Sequence, residues 1–245
     1  ISDVGRDLNV AHVLEGSVRK SGSTIRITAQ LIKVEDGFHM WSETWDRTLD
    51  NIFAIQDEIA GKVGTALSAS LLGDSAETSF AGVTTADPDA YDLYLQARKA
   101  RATYSYGGLQ EAEHLLKGAL LIDPEFTDAK IELASSYVHQ LETGLMDQPT
   151  AVAEIISMSD LALAERPDDT VAKALSTYAK ALALASQGDE NALPDLVSEL
   201  EAIVARAPAE LEPRMLLVRA YKNLKRIGDT LPVIEGALSL DPFNP

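Results

Sequence analysis

Residues 12–47 read HVLEGSVRKSGSTIRITAQLIKVEDGFHMWSETWDR. The run holds the highest density of β-forming residues in the chain, and Ser21-Gly22-Ser23 and Glu35-Asp36-Gly37 cut it into three segments. Turn residues so placed mark hairpin connections. In the middle segment Ile25, Ile27, Ala29 and Leu31 share one face, while Arg26, Thr28 and Gln30 share the other, the period of a half-buried strand. That alternation slips at Ile32 and Val34, which predicts a bulge. Trp41 and Trp45 fall on one face of the third segment and are read as sheet-packing residues. The stretch thus predicts a three-stranded antiparallel meander without catalytic chemistry.

On its N-terminal side, Ser2 or Asp3 can cap a short helix running to about Asn9, a side-chain oxygen accepting an otherwise unpaired N–H. On the other side, Ile52, Ile55, Ile59, Val63, Ala66 and Leu67 recur at three and four within Leu49–Leu72, which predicts a helix whose apolar stripe covers the sheet. Helix, strands and helix make a thin α+β module with unpaired sheet edges. A further strand, from upstream or from a partner, is expected there, and with it self-association through the edge. The chain opens at Ile1 without a basic-then-apolar leader, so it reads as an excerpt of a longer polypeptide or a mature region.

Composition narrows the function. The 245 residues contain no Cys, which removes disulfides, thiolate metal sites and Cys nucleophiles. No apolar run approaches the roughly 18 residues of a membrane span. Net charge is −17, and residues 74–245 hold 14 Lys and Arg against 28 Asp and Glu, a net −14. So acidic a surface repels phosphate, and nucleic acid is not an expected partner.

Several blocks, in order, resemble one known module: Val4-Gly5-Arg6-Asp7-Leu8, Val13 to Arg19, Arg26-Ile27-Thr28-Ala29-Gln30-Leu31, Trp41 to Arg47, and Ile52 to Ile59. Together they are similar to the TolB-N-like domain of bacterial signalling proteins, over about residues 1–72, although that domain's opening strand and first helix have no counterpart before Ile1. The resemblance implies a non-catalytic module between an N-terminal output domain and C-terminal tetratricopeptide repeats. The implied output is a class III adenylate cyclase, or a winged-helix DNA-binding domain as in CadC-like regulators. A cyclase arrangement implies the cytoplasm, and a membrane-anchored regulator the periplasm.

The module is assigned to residues 1–73, and residues 74–86, small, polar and without periodicity, form a linker. From residue 87 to 245 the chain reads as helical and repetitive. Prolines at Pro88, Pro124, Pro167, Pro208 and Pro242 close units at intervals of 36, 43, 41 and 34. Periods near 34 point to tetratricopeptide repeats. Ala112, Leu116 and Ala119 before Asp123-Pro124, Leu133, Ala134 and Tyr137 after it, and Leu217, Tyr221, Ile234 and Ala237 before Asp241-Pro242 resemble that repeat's small and aromatic positions. The central units, around Ser159 and Ser176, are stretched, which predicts longer helices or loops. The fold class is therefore an α+β module followed by an all-α helical solenoid with an inner groove.

No catalytic, cofactor or metal site is expected. His12, His39, His114 and His139 lack a second His at three or four. Gly61-Lys62-Val63-Gly64-Thr65 lacks the order of a phosphate loop and falls inside a helix. Asp168-Asp169 follow Pro167 as first-turn charges that favour a helix N-terminus. Tyr91, Tyr94, Tyr104 and Tyr106 are read as packing at the start of the solenoid. The repeat resemblance implies that the groove presents Asp128, Ile131, Ser135, Val138 and His139 in one unit and Glu212, Met215, Arg219, Lys222 and Asn223 in another. A protein or peptide is the expected occupant, with Arg219 and Lys222 placed to meet a carboxylate. The function so implied is a regulatory and protein-interaction region; the alternative is a structural adaptor in envelope or complex assembly.

Overall fold

The computed structural model describes residues 5, 8, 10–22, 24–48, 58–65, 85, 87–188 and 193–240. Backbone contacts divide the chain into two units, Ile1–Val83 and Thr84–Pro245.

In the first unit, β1 (His12–Ser21), β2 (Thr24–Lys33) and β3 (His39–Thr48) form one antiparallel sheet in the order β1-β2-β3. Gly22 and Gly37 take left-handed backbone, φ 61° and 70°, in the two connections, which a side chain would resist. The register pairs Leu14 with Leu31, Val18 with Ile27 and Ile27 with Trp45. It shifts between Leu31 and Ile32, where the sequence pattern slips. Ile25, Ala29, Leu31 and Trp45 are buried on one face, and Ile32, past the shift, is buried as well. Residues 58–65 are helical and tied to that face. Trp45 Nε1 and Arg47 Nη2 both donate to the Glu58 carboxylate, at 3.2 and 2.8 Å, and Lys62 pairs with Glu43. Gly61 to Thr65 accordingly lie in a helix. The expected helix to Asn9, the rest of Leu49–Leu72 and nearly all of the 74–86 linker lie outside the described residues.

The second unit contains α1 (Pro88–Arg101), α2 (Tyr106–Ile122), α3 (Thr127–Thr143), α4 (Gln148–Glu165), α5 (Thr170–Ser186), α6 (Leu193–Arg206), α7 (Leu211–Asn223) and α8 (Ile227–Leu240). Each helix packs on the next, and α1 on α3, α3 on α5 and α5 on α7, so among the described residues four hairpins stack with their first helices side by side as a helical solenoid. Local chemistry sets the boundaries. Asp87, Ser105, Asp147 and Asp169 each cap a helix by accepting from backbone N–H groups of its first turn. Asp169 is thus the cap of α5 and not a residue of its first turn, and Asp168 pairs with Lys173 at 3.0 Å. Pro88 opens α1, whereas Pro124, Pro167 and Pro208 sit in the turns between hairpins.

Packing follows residue size. Ala112, Ala119, Ala129, Ala134, Ala162 and Ala179 are fully buried where helices cross, and Leu109, Leu116, Phe126, Leu133 and Ile155 fill the space between. Of the two stretched central units, the α3–α4 unit has helices of 17 and 18 residues, whereas α5 and α6, with 17 and 14, match the 14 and 17 of α1 and α2, so longer helices account for the first of them only. Tyr91 stacks on Tyr94, which tilts onto Phe126 at 5.1 Å, and the Tyr106 hydroxyl donates to the Thr143 carbonyl at 2.6 Å.

Candidate functional site

The first helices of the hairpins, α1, α3, α5 and α7, turn their inner faces toward one another, and their polar side chains meet there. His139, on α3, is almost fully buried. Its Nδ1 lies 2.9 Å from the Ser135 carbonyl, one turn back, and so carries the proton of a neutral ring. That leaves Nε2 as the acceptor facing Arg219 Nη2 of α7 at 3.4 Å. Arg219 also binds Glu142 of α3 at two points, Nε to Oε1 at 2.7 Å and Nη2 to Oε2 at 3.2 Å. The Tyr104 ring meets the His139 ring edge-on, centroids 5.4 Å apart. On α1, Arg101 Nε donates to Glu132 Oε1 at 2.6 Å.

Charge in this interior is finely placed. Burial pushes the His139 imidazole below its usual range; the Ser135 carbonyl and Glu212 oppose the shift, and the cations Arg219 and Arg101 add to it. Burial likewise raises the Tyr178 phenol of α5, and Arg219 and Asn223 oppose that shift. Arg219 Nη1 and Glu212 Oε1 are buried without a hydrogen-bond partner among the described residues.

The two expected residue sets meet where Arg219 of α7 reaches His139 of α3, and several of the other members are buried or engaged elsewhere. Ser135, Val138 and His139 are buried. Asp128 is engaged by Arg166 Nη2 at 2.8 Å, and Arg219 meets a carboxylate of its own chain, Glu142. Ile131, Glu212 and Met215 are half-buried, while Lys222 and Asn223 are exposed.

What stays open is a cleft of about 460 Å³ beside this cluster, walled by Glu142, Tyr178, Leu182, Arg219, Lys222 and Asn223. A neighbouring cleft of about 480 Å³, lined by Leu193, Leu224, Lys225 and Arg226, shares Ala185 and Asn223 with it. Lys225 and Tyr178 were not singled out from the sequence as groove residues. The signal for Lys225 is the run Arg219-Ala220-Tyr221-Lys222-Asn223-Leu224-Lys225-Arg226, with four cations and no acid in an otherwise acidic unit. Among the described residues no three His, Cys, Asp or Glu side chains are grouped to hold a metal ion, and no helix is long and apolar enough to cross a membrane.

No family model matches the sequence. The chain is 39% identical over 135 residues to “Putative adenylate cyclase 3” of Rhizobium meliloti (strain 1021), a match covering 55% of this chain and 23% of that relative's length. Two solved structures, MamA MSR-1 and MamA AMB-1, superpose over 78% and 79% of this chain and 95% and 92% of theirs, at 15% and 16% identity. Their TM-scores of 0.34 and 0.33 are too low to support an inference about fold or function.

Proposed function

We propose that this chain is a regulatory, protein-binding region of a bacterial signalling protein with an adenylate cyclase output. In this reading its first unit is a TolB-N-like module and its second a set of tetratricopeptide-like repeats, working in the cytoplasm. The observation that carries the reading is the 39% identity to a much longer relative bearing an adenylate cyclase name. It favours a cyclase over a winged-helix DNA-binding output. The stacked hairpins with an open cleft fit the binding of a partner.

Regulation then requires a partner that prefers one arrangement of the helical unit over another, since a ligand of equal affinity for both shifts nothing. Self-association through the sheet belongs to the same reading. Leu14 and Val18 of the edge strand β1 are 51% and 69% exposed, on the face where Leu31 and Trp45 are buried.

The test uses the natural gene product that contains this region. Cyclic AMP formation from ATP is measured with and without residues 87–245, and a changed rate is expected on deletion. A gene product with no nucleotide cyclase activity, or a rate indifferent to the deletion, sinks the reading and favours the adaptor.

A further inference from the structure

Each hairpin's first helix is followed by one residue with left-handed backbone. After α3 and α5 these are Gly144 and Gly188, both at φ 73°. After α1 and α7 they are Tyr104 at φ 49° and Lys225 at φ 59°, the two non-glycine residues with positive φ among those described. The turn after α7 has the hydrogen bonds of a Schellman motif: Lys225 N–H donates to the Lys222 carbonyl at 3.1 Å, and Arg226 N–H to the Tyr221 carbonyl at 2.8 Å. Glycine is the favoured residue at Lys225's position in that motif, because a Cβ resists the left-handed conformation. An outlier of this kind in a cleft is a pointer to function.

Tyr104 is accounted for by its ring contact with His139. The Lys225 side chain is not. It is exposed, as is that of Lys222, and neither ammonium has a hydrogen bond or ion pair among the described residues. The other two cations of the run are committed, Arg219 to Glu142 and Arg226 to Asp229, each at 2.7 Å. Two unpaired lysines thus border the adjoining clefts in a unit with 26 acids against 14 bases. Between them the cleft walls carry the apolar side chains of Leu182, Ala185, Leu193 and Leu224, over a crevice of only about 20 Å³.

We propose that this cleft, across the C-terminal ends of α5 and α7, binds an acidic peptide segment of a partner protein, with an aliphatic side chain against the apolar walls and flanking carboxylates on Lys222 and Lys225. Charge complementarity selects the occupant. A basic segment suits the acidic remainder of the unit and is repelled here. The continuity of two clefts through Ala185 and Asn223 suits an extended chain, and an inorganic anion has no use for the apolar walls. Deeper in the inner groove a peptide finds less room, because His139 and the Arg219–Glu142 pair, which also forms one wall of this cleft, engage one another there. This inference rests on the reading of the helical unit as protein-binding.

The experiment titrates the 245-residue chain with the peptide Ac-Glu-Glu-Leu-Glu-Glu-NH2, its Gln-Gln-Leu-Gln-Gln isostere and inorganic phosphate, following methyl NMR signals. The acidic peptide is expected to bind saturably, to shift the methyls of Leu182, Leu193 and Leu224, and to weaken about tenfold in the Lys222→Gln/Lys225→Gln variant. That variant leaves the fold intact, since both side chains are exposed and unpaired. No binding, equal binding of the isostere, equal effects from phosphate, or unchanged affinity in the double variant overturns the proposal. Shifts confined to Val138 at the inner groove overturn it too, while leaving the protein-binding reading standing. That reading fails separately, through the cyclase measurement.

Discussion

Arg219 of α7 and Glu142 of α3 are joined by a two-point ion pair, 2.7 and 3.2 Å, that passes over the intervening hairpin. Arg219 is largely buried and Glu142 partly exposed, so water screens one side of the pair only. Replacing Arg219→Met removes the pair and leaves His139 Nε2 without its donor. The expected cost is about 1–2 kcal/mol, read as a lower urea midpoint at unchanged slope.

His139 supplies a pH dependence of definite sign. Its folded-state pKa is depressed, so below the ordinary value of about 6.5 the unfolded chain takes up a proton that the folded chain resists. Stability is expected to be full above that value and to decline as pH falls through the window down to the depressed pKa. The groups facing the ring are Arg219 and Glu212 from α7, Arg101 from α1, Tyr104 from the following turn and Ser135 from its own helix. A His139→Gln variant is expected to lose this part of the slope in urea titrations at a series of pH values. An unchanged slope would assign the dependence to other groups.

Two adjacent glycines at the start of α2 are expected to answer oppositely to alanine. A Cβ on Gly108 would lie 2.1 Å from Thr103 Oγ1 and 2.5 Å from the Ala100 carbonyl oxygen, so Gly108→Ala displaces the α1–α2 turn and costs about 1–3 kcal/mol. A Cβ on Gly107 meets nothing within 4 Å. Gly107→Ala is expected to stabilise by about 0.5–1 kcal/mol through helix propensity and reduced chain entropy. Thermal unfolding of the two variants side by side checks both signs.

Lys225→Gly relieves the left-handed backbone after α7 and is expected to raise stability by about 1 kcal/mol, visible as a higher melting temperature. The converse change, Gly144→Lys, is expected to cost a similar amount at the corresponding turn of the second hairpin.

The strands and the hairpin array were legible because their signals are local. Alternation at Ile25 to Leu31 and the slip at Ile32 each depend on neighbours within a few residues, and the sheet register reproduces both. Prolines at intervals near one repeat length likewise mark turns directly, at Pro124, Pro167 and Pro208. The meeting of His139 with Arg219 is of another kind. It depends on the rotation accumulated over successive hairpins, which no window of sequence contains. Arg219 was therefore read as available, whereas Glu142 engages it; Asp128 was so read as well, although Arg166, 38 residues on at the end of the same hairpin, pairs with it. The strained turn at Lys225 was hidden because lysine carries no turn signal. Aligning the ends of α3, α5 and α7 brings it opposite Gly144 and Gly188.

The ion pair between α3 and α7, with the field of Glu212 reaching Arg101 on α1, also bears on how the helical unit comes apart. An array whose members touch only their neighbours can fray from an end, one unit at a time. Here the α7–α8 hairpin also reaches the α3–α4 hairpin directly, through Arg219. Opening the α7–α8 hairpin exposes Arg219 and His139 together, so its release is coupled to the α3–α4 hairpin.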